Sequence, residues 1–111
     1  MTGLSLLNIM LNEGVEIKEN HNDLVKEFDN ALDEKRVIFI TKDNEEIGFC
    51  TWEIKSNLGG MRVLINKCVI YKQFRNRFSL INLRHFMRDK FIGFNGFLWK
   101  SRKQKRMCFV K

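Results

Sequence analysis

Residues 61–90 read MRVLINKCVIYKQFRNRFSLINLRHFMRDK, and their change of period decides the fold. Met61 to Tyr71 is rich in branched apolar residues, with Val63, Leu64, Ile65, Val69 and Ile70 as its core, which predicts a long strand. From Leu80 the apolar residues recur at helical spacing: Leu80, Leu83 and Met87 share one face, with Ile81 and Phe86 beside them. That helix, expected over 78–90, ends near Lys90 to Gly93, where cations suit a helix C-terminus. Phe97-Leu98-Trp99 then reads as a strand and Met107-Cys108-Phe109-Val110 as a last one. If the strands flanking that helix are neighbours in one sheet they run parallel, and a right-handed β-α-β crossover is expected at about 61–100.

Upstream, Val37 to Thr41 and Ile47 to Ile54 flank the polar turn Lys42–Glu46 and predict a hairpin. Ser56 to Gly60 is a second turn. Leu4, Leu7 and Leu11 repeat at helical spacing, widened by Leu6, Ile9 and Met10, and Asn12-Glu13-Gly14 stops this helix. Val15 to Lys18 reads as a short strand. A second helix is expected from an Asn22 N-cap, with Leu24, Phe28 and Leu32 inward and Glu27, Asp29, Asp33 and Glu34 in solvent. The order is α-α-β-β-β-α-β-β, an α+β class with a mixed central sheet.

A chain of 111 residues, 44% hydrophobic and 12% aromatic, is one globular domain's worth (1–111). The net charge of +7 hides a split. Residues 1–60 carry six basic and twelve acidic side chains, net −6; residues 61–111 carry fourteen basic and only Asp89 acidic, net +13. Such a basic half attracts phosphates or an acidic partner, unless the two halves neutralise each other within the fold. Three scattered cysteines, Cys50, Cys68 and Cys108, suit reduced thiols and a cytoplasmic setting rather than a disulfide framework. His21 and His85 have no ligand pattern around them, so no metal is expected. The apolar run within Met1–Asn12 is too short for a membrane span and lacks a signal peptide's basic start. Nothing in the sequence fixes an oligomeric state.

The hairpin with its Ile47-Gly48-Phe49, the long strand to Tyr71, and Phe74-Arg75-Asn76-Arg77-Phe78-Ser79-Leu80 before an apolar helix together resemble the GNAT N-acetyltransferase superfamily, over about residues 36–100. In size and motif the chain is similar to the small, degenerate members found among phage and mobile elements. The resemblance implies an acyltransferase that binds acetyl-CoA or a related thioester and passes the acyl group to an amine, on a protein or elsewhere. It implies that Val69, Ile70 and Tyr71 offer backbone donors to the thioester. It also implies that Arg75, Asn76, Arg77, Phe78, Ser79 and Leu80 form the pyrophosphate loop at a helix N-terminus. Where the motif holds small residues this sequence has Phe78 and Leu80, and the third strand offers no carboxylate as a base, so no catalytic residue is named.

Two other readings stand beside this one. Lys100, Arg102, Lys103, Lys105 and Arg106 would suit nucleic-acid phosphates, and Arg77, Arg84 and Arg88 make a helical stripe for phosphates or an acidic protein. Each is equally consistent with a solvated turn or helix face. Trp52, Trp99 and Cys68 read as packing residues, and His85 as a partly exposed structural one.

Overall fold

Two helices and a hairpin come first along the chain. The computed structural model describes residues 1–57, 60–75, 80–91, 97–100 and 107–110. Helices α1 (Gly3–Asn12) and α2 (His21–Asp33) precede strands β1 (Val37–Lys42), β2 (Glu45–Asn57) and β3 (Gly60–Ile70). A 3₁₀ turn (Lys72–Phe74), helix α3 (Leu80–Lys90) and strands β4 (Phe97–Lys100) and β5 (Met107–Val110) follow. The sheet order is β1-β2-β3-β4-β5, antiparallel throughout except for the parallel β3–β4 pair across α3.

The β1–β2 connection is tight because Asp43 and Asn44 take positive φ (53° and 65°), the backbone that a two-residue hairpin turn requires and that Asp and Asn tolerate. On one face of the sheet, α1 and α2 bury Leu6, Leu7, Met10, Leu24 and Phe28 against Phe49 and Val69. Phe28 meets Phe49 edge-on at 6.0 Å, a favourable aromatic geometry. On the other face, α3 places Met87 against Cys50 and Val63, and Phe91 follows its last turn. Trp52 joins that core, its ring 4.9 Å from Phe91 in a T-shaped contact. The result is a sheet with helices on both faces.

Several local expectations are corrected. The buried face of α1 is Gly3, Leu6, Leu7 and Met10, while Leu4 and Leu11 are 54% and 46% exposed. Gly3 turns the helix this way: a side chain there would collide with the Val25 carbonyl of α2, and its N–H donates to Asp29 Oδ1 at 2.6 Å. Asp29, exposed as expected, is thus also a helix-to-helix tie. Val15 to Lys18 forms no strand; Val15 and Ile17 lie against the α1–α2 core instead. The cap of α2 is Asn20, two residues before the expected Asn22, with Oδ1 accepting from the N–H of Asn22 (2.9 Å) and Asp23 (3.2 Å). No helix among the described residues is long and apolar enough to cross a membrane.

Candidate cofactor cleft at the end of β3

β3 changes character at Asn66. Thr51 of β2 pairs with Lys67, but Trp52 pairs with Ile65, so Asn66 is an extra residue with no partner in the register. Such a bulge bends the strand and increases its twist. It also switches which residues face α3. Before it these are Val63 and Ile65; after it, Cys68 and Ile70. The parallel ladder with β4 covers Val63↔Phe97, Leu64↔Leu98 and Ile65↔Trp99, and ends at the bulge. β3 continues to Ile70, while the described part of β4 stops at Lys100, one step past the last pair. The outer edge of β3 therefore runs on beyond the described part of β4.

Which backbone groups face that edge follows from the antiparallel alternation. Tyr71 N–H donates to Ile47 O at 2.8 Å. Val69 and Lys67, two and four residues back, therefore also spend their N–H and C=O groups on β2. Those of Cys68 and Ile70 point the other way, along the β4 side. The Ile70 carbonyl there is taken by Arg75, whose Nε donates to it at 2.9 Å. Arg75 also donates from a terminal nitrogen to Glu13 O at 2.7 Å. One guanidinium thus consumes the acceptor at the strand's end, leaves the Ile70 N–H on the same edge, and brings a positive charge beside it. Of the three residues expected to offer backbone donors, Ile70 alone presents its N–H to this edge; the N–H groups of Val69 and Tyr71 serve β2.

The end of β3 is tied to the α1–α2 connection. Glu13, which caps α1, accepts the Lys72 N–H at Oε2 (2.6 Å), and Glu19 pairs with Lys67 Nζ at 2.9 Å. Tyr71, one residue past the strand, packs its ring against cores on both faces of the sheet. Its hydroxyl donates to Glu46 Oε2 at 2.7 Å. Burial holds the Tyr71 phenol above its usual range, helped by the hydrogen bond to Glu46 and by the charges of Glu46 and Glu13. Cys50 and Cys68 are free thiols and register partners. Burial pushes Cys68 up to about 11, and burial together with Cys68 pushes Cys50 higher, so neither is an activated nucleophile.

The remaining sequence candidates divide. Asn76, Arg77, Phe78 and Ser79 lie outside the described residues, as do Arg102, Lys103, Lys105 and Arg106. Leu80 is the first residue of α3, and Lys100 is the last of β4. Arg84 and Arg88 are exposed on α3, on the opposite side of the sheet from the acidic surface of α2. These two arginines therefore do not face the acidic surface of α2. Lys67–Glu19 is a salt bridge that joins the two halves; Arg36–Glu34 and Lys55–Glu53 lie within the N-terminal half. No group of three or more His, Cys, Asp or Glu among the described residues converges as a metal site.

Sequence reasoning missed Glu13, Glu46 and Asn66. Glu46 falls in what reads as a polar turn, and only the Ile47–Tyr71 register brings it to the phenol. Asn66 did leave a trace: it is the polar residue at which the apolar pattern of β3 changes parity.

No family model matches the chain, and no curated protein matches it. Among solved structures it is similar to a predicted acetyltransferase with acetyl-CoA from Clostridium acetobutylicum. The TM-score is 0.55 at 14% identity, over 94% of this chain and 75% of that one. At that identity the likeness is one of fold: the chain has a GNAT-like α+β fold.

Proposed function

We propose that this protein is an acyltransferase that binds acetyl-CoA or a related thioester along the outer edge of β3 and transfers the acyl group to an amine. The observation that carries this reading is the Asn66 bulge at the end of the β3–β4 ladder. It turns the amides of Cys68 and Ile70 toward the carboxyl end of a parallel pair, where ligands of open sheets bind. The residues present suit a thioester arm: the Ile70 N–H is a preorganised donor for its carbonyl, and Arg75 raises the local positive potential. The proposed diphosphate loop is Arg75, Asn76, Arg77, Phe78, Ser79 and Leu80, leading into α3, whose N-terminus would favour an anion. A GNAT-like fold shared with a protein described as holding acetyl-CoA supports the same reading.

Thermal unfolding with and without acetyl-CoA tests it. At ~100 times the dissociation constant, a ligand that binds only the folded state adds about 2.7 kcal/mol. A raised midpoint is expected, and no shift at millimolar acetyl-CoA would remove the thioester from the account. The basic half favours a second reading, nucleic-acid or acidic-protein binding through Arg84, Arg88 and the 100–106 segment. It predicts complexes with DNA or RNA that dissolve as salt rises, and that Lys103→Glu with Arg106→Glu abolishes.

A further inference from the structure

Cys50 of β2 and Cys68 of β3 are Cα partners in the antiparallel register, so their side chains leave the sheet on the same face. That face lies under α3: Cys50 is buried with Val63, Met87 and Phe91, and Cys68 packs against the same cluster. The kind of pair they form follows from the backbone alternation. Tyr71 donates its N–H to Ile47 O, which makes Ile47 and Tyr71 a hydrogen-bonded pair. Counting along the register, Gly48–Ile70 is then non-hydrogen-bonded, Phe49–Val69 hydrogen-bonded and Cys50–Cys68 non-hydrogen-bonded. In a non-hydrogen-bonded pair the Cα atoms stand about 4.5 Å apart, within the roughly 4.4–6.8 Å that a disulfide spans. Directly opposed Cβ atoms lie about 4.5–5.5 Å apart, whereas a disulfide holds them at about 3.8 Å. Closing a bond between the two sulfurs therefore needs no change of register, only a local contraction of the ladder.

We propose that Cys50 and Cys68 form a reversible cross-strand disulfide, which makes the β2–β3 seam a redox-sensitive element of the fold. This does not depend on the acyltransferase reading. The oxidant class is a low-molecular-weight disulfide, for which oxidised glutathione serves as the probe. Cys68, the half-buried thiol of the pair, loses its proton and attacks one glutathione sulfur, expelling the other as a thiolate. Cys50, deprotonated in turn, attacks the Cys68 sulfur of this mixed disulfide, and the second glutathione thiolate leaves. Both protein protons pass through solvent to the two departing thiolates, so the protein sulfurs are oxidised as the glutathione sulfurs are reduced. Burial of Cys50 and partial burial of Cys68 make the exchange slow, because the thiolate is the reacting species and access is limited. The contraction strains the bond, and strained disulfides are the readily reduced ones. The contraction also draws Cys68, whose amide faces the outer edge of β3, toward β2.

The test uses the full chain, as wild type and as Cys108→Ser, equilibrated without denaturant at about pH 8, where thiolate is available, in buffers of fixed reduced-to-oxidised glutathione ratio. Samples are quenched with acid, and the remaining thiols are counted by alkylation and intact mass. With oxidised glutathione in excess, each protein is expected to lose the mass of two hydrogens. Peptide mapping should then find Cys50 linked to Cys68, in wild type and in Cys108→Ser alike. Excess reduced glutathione is expected to return both thiols. Cys50→Ala should stop at a glutathione adduct on Cys68, because the resolving thiol is gone. Mapping of the wild-type chain decides the matter even where a variant fails to fold. Thiols that stay free or carry separate glutathione adducts in the folded wild type would overturn the proposal. So would a 50–68 link that forms only in denaturant, a link from either residue to Cys108 in its place, or a 50–68 bond that resists excess reduced glutathione.

Discussion

Val63–Ile65 and Cys68–Ile70 belong to one strand and are equally apolar, yet the first segment is paired with β2 and β4 and the second with β2 alone among the described strands. One inserted residue, Asn66, separates them. The near segment behaves as structure: both edges are satisfied, and Val63 is buried beneath α3. The far segment keeps a buried floor, since Val69 is buried beside Phe49 under α1 and α2, while its outer edge turns backbone donors away from the sheet. A functional edge can therefore be made inside a core strand without loss of packing, because a bulge redirects amides and leaves the apolar face covered.

The largest expected effect tests the floor of that far segment. Phe49→Ala removes the ring that meets Phe28 and Phe39, and should cost about 3–5 kcal/mol of unfolding free energy in denaturant titration. Leu4→Ala, on the exposed side of α1, should change it by less than about 0.5 kcal/mol. Comparable losses in the two would contradict the assignment of the core.

Next comes the seam between β2 and the far segment. A methyl on Gly48 would collide with the Val69 carbonyl, so Gly48→Ala should cost roughly 1–3 kcal/mol and lower the thermal midpoint. Because the collision lies within the far segment, acetyl-CoA affinity should fall with stability. A near-segment change such as Ile65→Val should cost about 0.5–1.5 kcal/mol and leave affinity alone.

Arg75 sharpens the comparison further. Arg75→Ala frees the carbonyls of Ile70 and Glu13, at about 1 kcal/mol for hydrogen bonds at an exposed site. Arg75→Lys keeps the charge but loses the fork that reaches both carbonyls. Calorimetric titration should show acetyl-CoA binding weakened in both variants, and more in Arg75→Ala.

Alkaline pH gives a smaller and graded effect. Cys68 titrates near 9 when unfolded and about 11 when folded, and the Cys50 and Tyr71 groups are also raised by burial. Above the unfolded value the unfolded chain releases protons that the folded chain retains, so stability falls as pH rises. This contribution is intact below about pH 9 and is lost progressively through about pH 11. The thermal midpoint should fall across that window, and Cys68→Ser should flatten the fall. A small change is also expected of Glu19→Gln, an exposed partner of Lys67, at no more than about 1 kcal/mol and less at high salt.

The sequence made the scaffold readable wherever a residue's role depends on near neighbours. The branched run from Val63 to Ile70, the helical spacing of Leu83 and Met87, and the Asp43-Asn44 turn between apolar segments each carry their own signal. What depends on a distant partner was harder to read. Leu4, Leu7 and Leu11 look like an inward stripe until Gly3 docks on the Val25 carbonyl and rotates the helix. Tyr71, Val69 and Ile70 look alike as backbone donors until the Ile47 contact fixes which amides serve β2. Glu46 and Tyr71 are twenty-five residues apart, and no spacing rule joins them.

Amide hydrogen exchange along β3, residue by residue and with and without acetyl-CoA, measures the state of that edge directly. Lys67, Val69 and Tyr71 should exchange slowly in either condition. Cys68 and Ile70 should exchange quickly in the free protein and become protected when acetyl-CoA is added. Equal protection of all five amides in the free protein, or acetyl-CoA leaving Cys68 and Ile70 unprotected, would contradict the account.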